Sequence, residues 1–500
     1  MKKSVHIAIF CLIFLGCLKP SYSRTDGIQC LSPIQFGLLD AKNDLERYQV
    51  LLKCHKEAVK QQKGVNYKGI GTIVVELPIH DFESIPLSHY TDFAGIELKC
   101  VYHGAKNRSL FAMLQEGKPL AVNAIDVDNA NFKIVSELNN GLYLLSIKDE
   151  MPWIVERIGY GYSHYRKDII LVKGGKGTTK PIQPYNNEFS KVSAKFISVS
   201  AIEKVFKNLR FVRDESNTAI VKLISASMQY NLHISNISVF TPQDNNLYGD
   251  GIFTISNSVK VIFDNVNVDG TYSRADKYGY AFDLNNVCEF SAKQLSAFGR
   301  WGVFGTNNLK NVHLEDCDIN RFDIHCYGYC VKCKNCRFSQ LYNQFSCTYG
   351  TISFVGCTFD KVTPYLNGSS YNTYVPVDIK FKKCTFIINE KKNSIIRVTG
   401  LSDVVNPREE LSKKNLPNVE MSNCKVFLDS NVKEWQLMDV GSFELTNLLD
   451  GIKRIYIKNL NVIGRDVDFK FTNKEIITKQ KFKIEVKKSN EFNAFLNLVL

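Results

Sequence analysis

The sequence predicts an all-β chain that folds as a right-handed parallel β-helix, a solenoid of stacked coils, with an N-terminal capping helix. Two observations support this prediction. A short β-like pattern recurs through the second half, and one amphipathic helical segment precedes it at about residues 40–62. With 500 residues and 44% hydrophobic content, the chain has ample material for a long buried core.

The repeat alternates apolar with variable residues, passes through Asn or Asp, and resumes with an apolar residue or cysteine. Alternation gives each strand an inward and an outward face, and Asn suits the bend because it tolerates left-handed backbone. The copies lack long helices and propeller-type aromatic signals, and parallel crossovers are right-handed by default, so we predict a right-handed parallel β-helix. Copies lie at 205–211, 232–239, 261–268, 288–297, 312–319, 331–338, 352–359, 379–386, 419–426 and 455–462.

Cysteines follow the same repeat. An exported chain with 15 cysteines would ordinarily suggest disulfides. Cys326 and Cys347 each precede a repeat anchor by ten residues and are predicted to stack as a second pair. The alternatives are zinc or iron–sulfur binding by the cysteines of segment 326–336, and scattered disulfides. Five cysteines occupy one equivalent position and predict an interior column of free thiols: Cys317, Cys336, Cys357, Cys384 and Cys424.

Residues 1–23 have the features of a secretory signal peptide, with two lysines, an apolar run and small residues before the boundary. We therefore expect a secreted or periplasmic protein without a membrane span, and a lipid anchor at Cys17 is the alternative. Removing the signal lowers the formal charge from +13 to +10, because it contains three lysines and no acid. A basic exported protein favours polyanionic partners, whereas the absence of a basic stripe with interleaved aromatic residues predicts no nucleic-acid binding.

The chain divides into a cap, a solenoid and a tail. Residues 24–66 are predicted to form the N-terminal cap, with a helical stripe of Leu45, Tyr48, Leu52, His55 and Val59. The β-helix is assigned to residues 67–465, with irregular first coils to about residue 195 and regular coils over 205–465. Residues 466–500 alternate lysine with apolar residues and are predicted to form a C-terminal cap or tail.

The N-terminal region resembles pectate-lyase-like β-helix proteins. The resemblance is carried by Phe36-Gly37, by Asp40 and Asp44 opening a helix, and by Gly71-Thr72-Ile73-Val74 ahead of Pro78 and the turn at 91–95. It is a resemblance of architecture over residues 34–465, and it implies a right-handed parallel β-helix whose helix caps the first coil. The superfamily contains lyases, hydrolases, epimerases and phage depolymerases, so the fold does not decide the chemistry.

One strand carries an unusual density of reactive side chains. In the stretch 321–327, Phe322, Ile324 and Cys326 are predicted to point inward. The four alternate residues then point outward together and are the candidate catalytic residues: Arg321, Asp323, His325 and Tyr327. A binding groove is expected along the same outer face. The candidate substrate-binding residues on neighbouring coils and loops are Asp250, Asp283, Arg300, Trp301, Gln344, Ser346, Tyr349 and Tyr374.

These residues suit a secreted enzyme that depolymerises an acidic, uronic-acid-containing polysaccharide, with β-elimination favoured. In that reaction a cation such as Arg321 or Arg300 neutralises the substrate carboxylate, His325 acts as the base, and Tyr327 acts as base or acid. One alternative is a glycoside hydrolase that uses Asp323 with Asp283 or Asp250. Another is a non-catalytic glycan-binding or adhesin-like β-helix. The expected protein is a monomer without a cofactor; superfamily lyases often use calcium, but only dispersed aspartates occur here.

Overall fold

Parallel pairing between successive coils builds a 27-stranded sheet that winds the chain into a solenoid. The protein is an all-β parallel β-helix, as its sequence predicts. This computed structural model describes residues 27–154, 156–157, 164–181, 185, 191–241, 251–270, 280–297, 302–339, 343–345, 348–367, 377–391, 393–399, 404–405, 416–440, 452–464, 468–470, 472 and 482–487. The predicted signal peptide and Cys17 lie outside the described residues.

The first coils and their cap comprise one helix and six strands. These are β1 (Cys30–Leu31), α1 (Asp44–Lys60), β2 (Gly64–Asn66), β3 (Ile73–Glu76), β4 (Ile85–Pro86), β5 (Tyr90–Val101) and β6 (Arg108–Leu114). Asn43 caps α1 by accepting a hydrogen bond from the Glu46 amide at 2.8 Å. The helix packs on the open end of the first coil, so it covers backbone that would otherwise form an exposed edge.

The buried face of α1 differs partly from the predicted stripe. Tyr48 and His55 are buried as expected, but Val59 is 44% exposed. Cys54 and Ala58 take positions against the first coil, because their small side chains allow the helix to approach it closely. His55 Nε2 lies 2.8 Å from the Tyr67 hydroxyl. Burial lowers the pKa of His55 to about 3, so the imidazole is neutral in the folded cap.

Residues 118–198 form a separate antiparallel sheet inserted between early coils. Its elements are β7 (Lys118–Leu120), α2 (Ala124–Asn129), β8 (Leu142–Ile154), β9 (Glu156–Arg157), β10 (His164–Lys173), β11 (Lys176–Gly177) and β12 (Val192–Ser198). Five of the strands pair in the order β11-β10-β8-β12-β7 around their own apolar core. The region assigned from sequence to irregular first coils therefore contains an antiparallel insertion.

Two buried ion pairs accompany this insertion. Arg166 Nη2 lies 3.0 Å from Asp149 Oδ2 within the sheet, and Lys310 Nζ lies 2.7 Å from Asp168 Oδ1 between the sheet and the solenoid. All four side chains are at most 5% exposed. Losing one member of such a pair would leave an uncompensated buried charge, so the first pair stabilises the sheet itself and the Lys310–Asp168 pair holds the insertion on the solenoid.

The regular solenoid resumes at residue 204 and continues to the last described strand. Its strands are β13 (Lys204–Arg213), β14 (Val221–Ser227), β15 (Tyr230–Thr241), β16 (Phe253–Gly270), β17 (Tyr280–Ala297), β18 (Gly302–Glu315), β19 (Asp318–Ile319), β20 (Phe322–Lys334), β21 (Arg337–Ser339), β22 (Asn343–Phe345), β23 (Thr348–Val355), β24 (Thr358–Asp360), β25 (Pro364–Asn367), β26 (Val377–Lys382), β27 (Thr385–Ile388), β28 (Ser394–Thr399), β30 (Asn418–Leu428), β31 (Glu434–Val440), β32 (Lys453–Ile463), β33 (Asp468–Lys470) and β34 (Phe482–Lys487). The short strand β29 (Val404–Val405) lies outside this sheet and pairs antiparallel with β9. Strands β33 and β34 pair in parallel with β31 and β32, so the described parts of the predicted C-terminal cap extend the coils.

Equivalent repeat positions stack in the interior. Leu209, Ile237, Val266 and Leu295 pair in register on consecutive coils, and each is at most 2% exposed. The polar bends stack as well. Asn208, Asn236 and Asn265 adopt left-handed backbone, and each amide of the later two donates a hydrogen bond to the preceding Asn at 2.9 Å. The repeat therefore specifies both an apolar column and a hydrogen-bonded asparagine ladder.

The predicted cysteine column is confirmed. Its five members, Cys317, Cys336, Cys357, Cys384 and Cys424, are free thiols and 1% exposed. The backbone carbonyls of the first four each accept an amide hydrogen bond from the next coil, at 2.8–2.9 Å. Cys333 is also buried, whereas the Cys326 side chain and Cys347 lie outside the described residues. No group of metal-ligating side chains occurs among the residues that the structure describes. Across the same residues, no helix is both long and apolar enough to cross a membrane.

Candidate functional site

One outward row of residues follows the solenoid axis. Phe253, Phe282, Phe304 and Phe322 fill the interior with no measurable exposure, so the residue that follows each of them faces outward. The successive positions of this row pair in register from strand to strand. They are Ser225, Thr254, Asp283, Gly305, Asp323, Gln344, Tyr365, Arg397 and Asp439.

Strand β20 contributes the chemically dense part of the row. Phe322 and Ile324 are fully buried in the core, which confirms the predicted alternation at these two positions. The strand contains a β-bulge at His325, because Thr306 pairs with Ile324 whereas the next residue, Asn307, pairs with Cys326. Bulges redirect side chains and occur often beside active sites. Here the bulge sets the direction of the imidazole next to Asp323.

Arg321 and Asp323 form a buried ion pair. Arg321 Nε lies 2.5 Å from Asp323 Oδ2, and the two side chains are 2% and 0% exposed. The sequence-based role of Arg321 was to neutralise a substrate carboxylate. Arg321 is instead buried against Asp323 and supports that side chain from within the protein, because a charge buried without a partner of opposite sign is costly.

Tyr280 completes the cluster from strand β17. Its hydroxyl donates a hydrogen bond to Asp323 Oδ2 at 3.2 Å and lies 3.0 Å from His325 Nε2. The tyrosine ring lies over Gly305, where a methyl group would be only 2.6 Å from Tyr280 Cγ. Gly305 occupies the row position between Asp283 and Asp323. Glycine at this position therefore makes room for the ring.

The hydrogen bonds of this cluster have a defined direction. The Tyr280 hydroxyl has one proton and donates it to Asp323 Oδ2. The phenol oxygen, 3.0 Å from His325 Nε2, then accepts from the imidazole in the tautomer that carries its hydrogen on Nε2. His325 is the most accessible of the group, with a side chain 19% exposed. The chain Arg321–Asp323–Tyr280–His325, here called the proton-transfer cluster, therefore runs from the buried cation to the accessible imidazole.

The other predicted site residues fall into three groups. Asp283 lies half-buried in the same row, two strands from Asp323, and the backbone of Gln344 pairs directly with Asp323. Tyr349 lies elsewhere, since it pairs with Tyr329 farther along β20. The side chains of Tyr327 and Gln344 are outside the described part of the chain, as are the whole residues Asp250, Arg300, Trp301, Ser346 and Tyr374.

Sequence reasoning missed Tyr280 and Gly305. Tyr280 lies three residues before Asp283, in a stretch of sequence that suggested only the aspartate as a candidate. Gly305 offered a signal in the sequence, because it is a glycine at a position where the two neighbouring strands have the aspartates Asp283 and Asp323. Isolated glycine inside a strand often marks a close approach by another group, which is the signal that this position offered.

Comparisons with known proteins support the fold. No family model and no curated protein matches the chain. Among solved structures, the tailspike protein gp49 from Pseudomonas phage LKA1 superposes with a TM-score of 0.53 at 12% identity, covering 92% of this chain and 78% of its own. The tailspike gp61 from Pseudomonas phage phi297 gives 0.51 at 11% identity, covering 88% and 76%. At such identities the likeness shows a shared architecture, and the chain is a parallel β-helix protein.

Proposed function

We propose that the protein is a secreted carbohydrate-active enzyme that depolymerises an acidic polysaccharide by β-elimination at the proton-transfer cluster. The observation that carries this proposal is the Tyr280–His325 contact of 3.0 Å on the outer face of the solenoid. Two groups that exchange protons at this distance can serve as base and acid in one reaction. Both contact Asp323, a member of the row that runs along the solenoid axis, and such a row suits an extended polymer substrate.

In the proposed reaction, His325 takes the proton from the carbon next to the uronate carboxylate. The released electron pair forms a carbon–carbon double bond, and the bond to the leaving sugar oxygen breaks. Tyr280 gives its proton to that oxygen, and the resulting phenolate is stabilised by the protonated His325. Arg321 offsets the repulsion between this phenolate and Asp323, because its guanidinium lies 2.5 Å from the carboxylate. The substrate proton is taken on Nδ1 of His325, because Nε2 carries the hydrogen that faces Tyr280. Transfer of the Nε2 proton back to the phenolate, followed by exchange of the remaining ring proton between Nδ1 and Nε2 through solvent, restores the resting state.

Cations on the same face support an acidic substrate. Lys222 Nζ lies 3.0 Å from the hydroxyl of Thr254, and Thr254 is three strands before Asp323 in the row. Arg397 is three strands beyond Asp323; its side chain is 45% exposed, and its Nε lies 3.1 Å from Asp439 Oδ2. We propose that Lys222 binds the carboxylate of a sugar unit on one side of the reacting one, and that Arg397, whose charge is shared with Asp439, contributes on the other side. The formal charge of +10 that remains without residues 1–23 favours the same class of substrate through long-range attraction.

A hydrolase is the second candidate, because Asp283 and Asp323 share the row. Two strand spacings separate their Cα atoms by roughly 10 Å, near the carboxylate separation of inverting glycosidases. Asp323 is fully buried and paired with Arg321, and the Tyr280 ring lies over the glycine between the two aspartates. These features favour elimination over hydrolysis.

The test is a depolymerisation screen with the purified mature protein. A panel of acidic and neutral polysaccharides is incubated with the enzyme, and two signals are followed together: ultraviolet absorbance of unsaturated uronides, and new reducing ends. A rise of both signals on an acidic glycan is the expected result. Heat-inactivated protein is the blank.

Each other outcome of the screen has a defined meaning. Reducing ends without absorbance would contradict elimination and favour the aspartate pair. Silence on every glycan, together with measurable binding to one of them, would favour a non-catalytic glycan-binding protein and would overturn the proposal.

A further inference from the structure

A second concave site lies at the N-terminal end of the solenoid, away from the proton-transfer cluster. It is a pocket of about 620 Å³, within the range of about 300–1,000 Å³ that is typical of small-molecule sites. Ala112 from its wall belongs to the same outward row, five strands before Asp323. Five strand spacings amount to about 24 Å, so this pocket is a separate site.

The pocket has a mostly apolar wall with a cationic element. Its apolar surface includes side chains that are unusually exposed for their type, with Val59 at 44%, Leu114 at 65% and Ile202 at 61%. The titratable groups that line it are Lys204 and His89. Of the lining residues that the structure describes, none is a carboxylate and none is Phe, Tyr or Trp. The pocket therefore lacks the flat rings on which sugars stack, and its charge is positive.

Lys204 carries a partly buried positive charge that lacks a counter-charge in the described part of the chain. It is half-buried at the start of β13, and within the described part of the chain its ammonium has no ion pair or hydrogen bond. Burial alone lowers the pKa of Lys204 to about 8, and burial also lowers the pKa of His89. A bound anion would offset this desolvation, because an opposite charge within a few ångströms favours the protonated amine.

We propose that this pocket binds an amphipathic aliphatic carboxylate, with the carboxylate on Lys204 and the chain against Val59, Leu114 and Ile202. The apolar residues exclude a fully hydrophilic sugar acid as the preferred ligand, since its hydroxyl groups would lose water without gaining enough hydrogen-bond partners. The lining also includes Ser84, Ser88 and Gln115, and the hydroxyls of Ser84 and Ser88 already donate to backbone carbonyls. A medium-chain fatty acid meets both requirements.

The experiment is a calorimetric titration of the full mature chain with decanoate below its micelle concentration. We expect saturable binding at one site. Lys204→Met keeps the length and apolar character of the side chain but removes the charge, so affinity should fall about tenfold or more. Lys204→Arg should retain most of the affinity. Decanol, which has the same chain without the charge, should bind at least about tenfold more weakly than decanoate.

Matched controls separate this site from general surface binding. Lys293 is an exposed solenoid lysine outside the pocket, and Lys293→Met should leave decanoate affinity unchanged. Leu114→Asp places a carboxylate on the wall and should weaken binding at least as much as Lys204→Met. The proposal is overturned if decanoate shows no saturable binding, if Lys204→Met binds as well as wild type, or if decanol binds equally well. None of these readouts depends on polysaccharide cleavage, so the pocket and the proposed enzyme activity fail or succeed separately.

Discussion

The stretch 321–336 contains two regions that both carry cysteine among polar residues but differ in the structure. Its second part places Cys333 and Cys336 inside the solenoid, each 1% exposed, and Cys336 belongs to the five-residue thiol column. Its first part places Arg321, Asp323 and His325 on the outer face within the proton-transfer cluster. The column follows the repeat without interruption, whereas the cluster coincides with a β-bulge and with a glycine in the neighbouring strand.

The difference separates residues that are explained by packing of the solenoid from residues that form a candidate site. A residue type that recurs at the same position on successive coils satisfies the same local environment each time, so it is explained by packing. A site needs groups that differ from coil to coil and converge on one point. Here convergence is produced by departures from the repeat: the bulge at His325 and the space above Gly305.

The largest expected effect is the loss of turnover on replacing His325. His325→Ala should reduce turnover on the identified glycan by about 10²–10⁴-fold, because it removes the base of the proposed reaction. Thermal unfolding should change little, since His325 is the most accessible member of the cluster. His313 is the matched control, with a side chain 46% exposed on the neighbouring strand β18. A similar loss in His313→Ala, or none in His325→Ala, would contradict the assignment.

Gly305→Ala tests whether the glycine positions Tyr280. The added methyl would collide with the Tyr280 ring, so turnover should fall by about tenfold or more through a displaced phenol. In a Tyr280→Ala background the same substitution should have little further effect, since the ring that it displaces is gone. Gly71→Ala is the control, because nothing lies within 4 Å of a methyl at that position. Additive effects of Gly305→Ala and Tyr280→Ala would disprove the positioning role.

The buried His55 in the cap should make the free energy of unfolding depend on pH. His55 is neutral when folded, with its pKa lowered to about 3, whereas its unfolded pKa is near 6.5. Its contribution to stability is therefore present above pH 6.5 and is lost as the pH falls from 6.5 toward 3. Between pH 6.5 and pH 5 the free energy of unfolding should drop by about 2 kcal/mol from this residue. Denaturation of His55→Gln should show a shallower pH dependence, whereas the exposed control His80→Gln should match wild type.

The smallest expected effect belongs to the thiol column. Cys357→Ala should lower the free energy of unfolding by about 1 kcal/mol, because it removes one buried sulfur and leaves a small void. Turnover should stay at the wild-type level, since this side chain faces the interior, away from the cluster. A chemical denaturation curve and the cleavage assay measure the two quantities. A loss of turnover without a loss of stability would show that the column has a chemical role.

Most of the solenoid was predictable from individual residues. Leu209, Ile237 and Val266 mark their coils because burial demands an apolar side chain at each equivalent position. Asn208 and Asn236 mark the bends because few other side chains tolerate left-handed backbone there. The antiparallel insertion at 118–198 was not predicted, since its alternating strands have the same two-residue period as those of a coil.

The candidate site was predictable only in part. Asp323 and His325 were found because one strand concentrates polar groups on its outward positions. The burial of Arg321 and the placement of Tyr349 beside Tyr329 could not be predicted, since both depend on which side chains cover the outer face and on the register between coils. Tyr280 was not predicted, because it is 45 residues from His325 in the sequence. Its ring reaches the cluster by passing over Gly305 on the strand between them.

The amino-acid sequence by itself determined the parallel β-helix and its interior, including the cysteine column and the asparagine ladder. These features depend on side-chain volume and backbone preference, which act locally and repeat with every coil. Only the tertiary structure decided which polar groups meet: Arg321 with Asp323, and Tyr280 with His325. Hydrogen bonds and ion pairs act over about 3 Å, so a one-residue bulge or a missing side chain changes the partners while the repeat pattern stays the same.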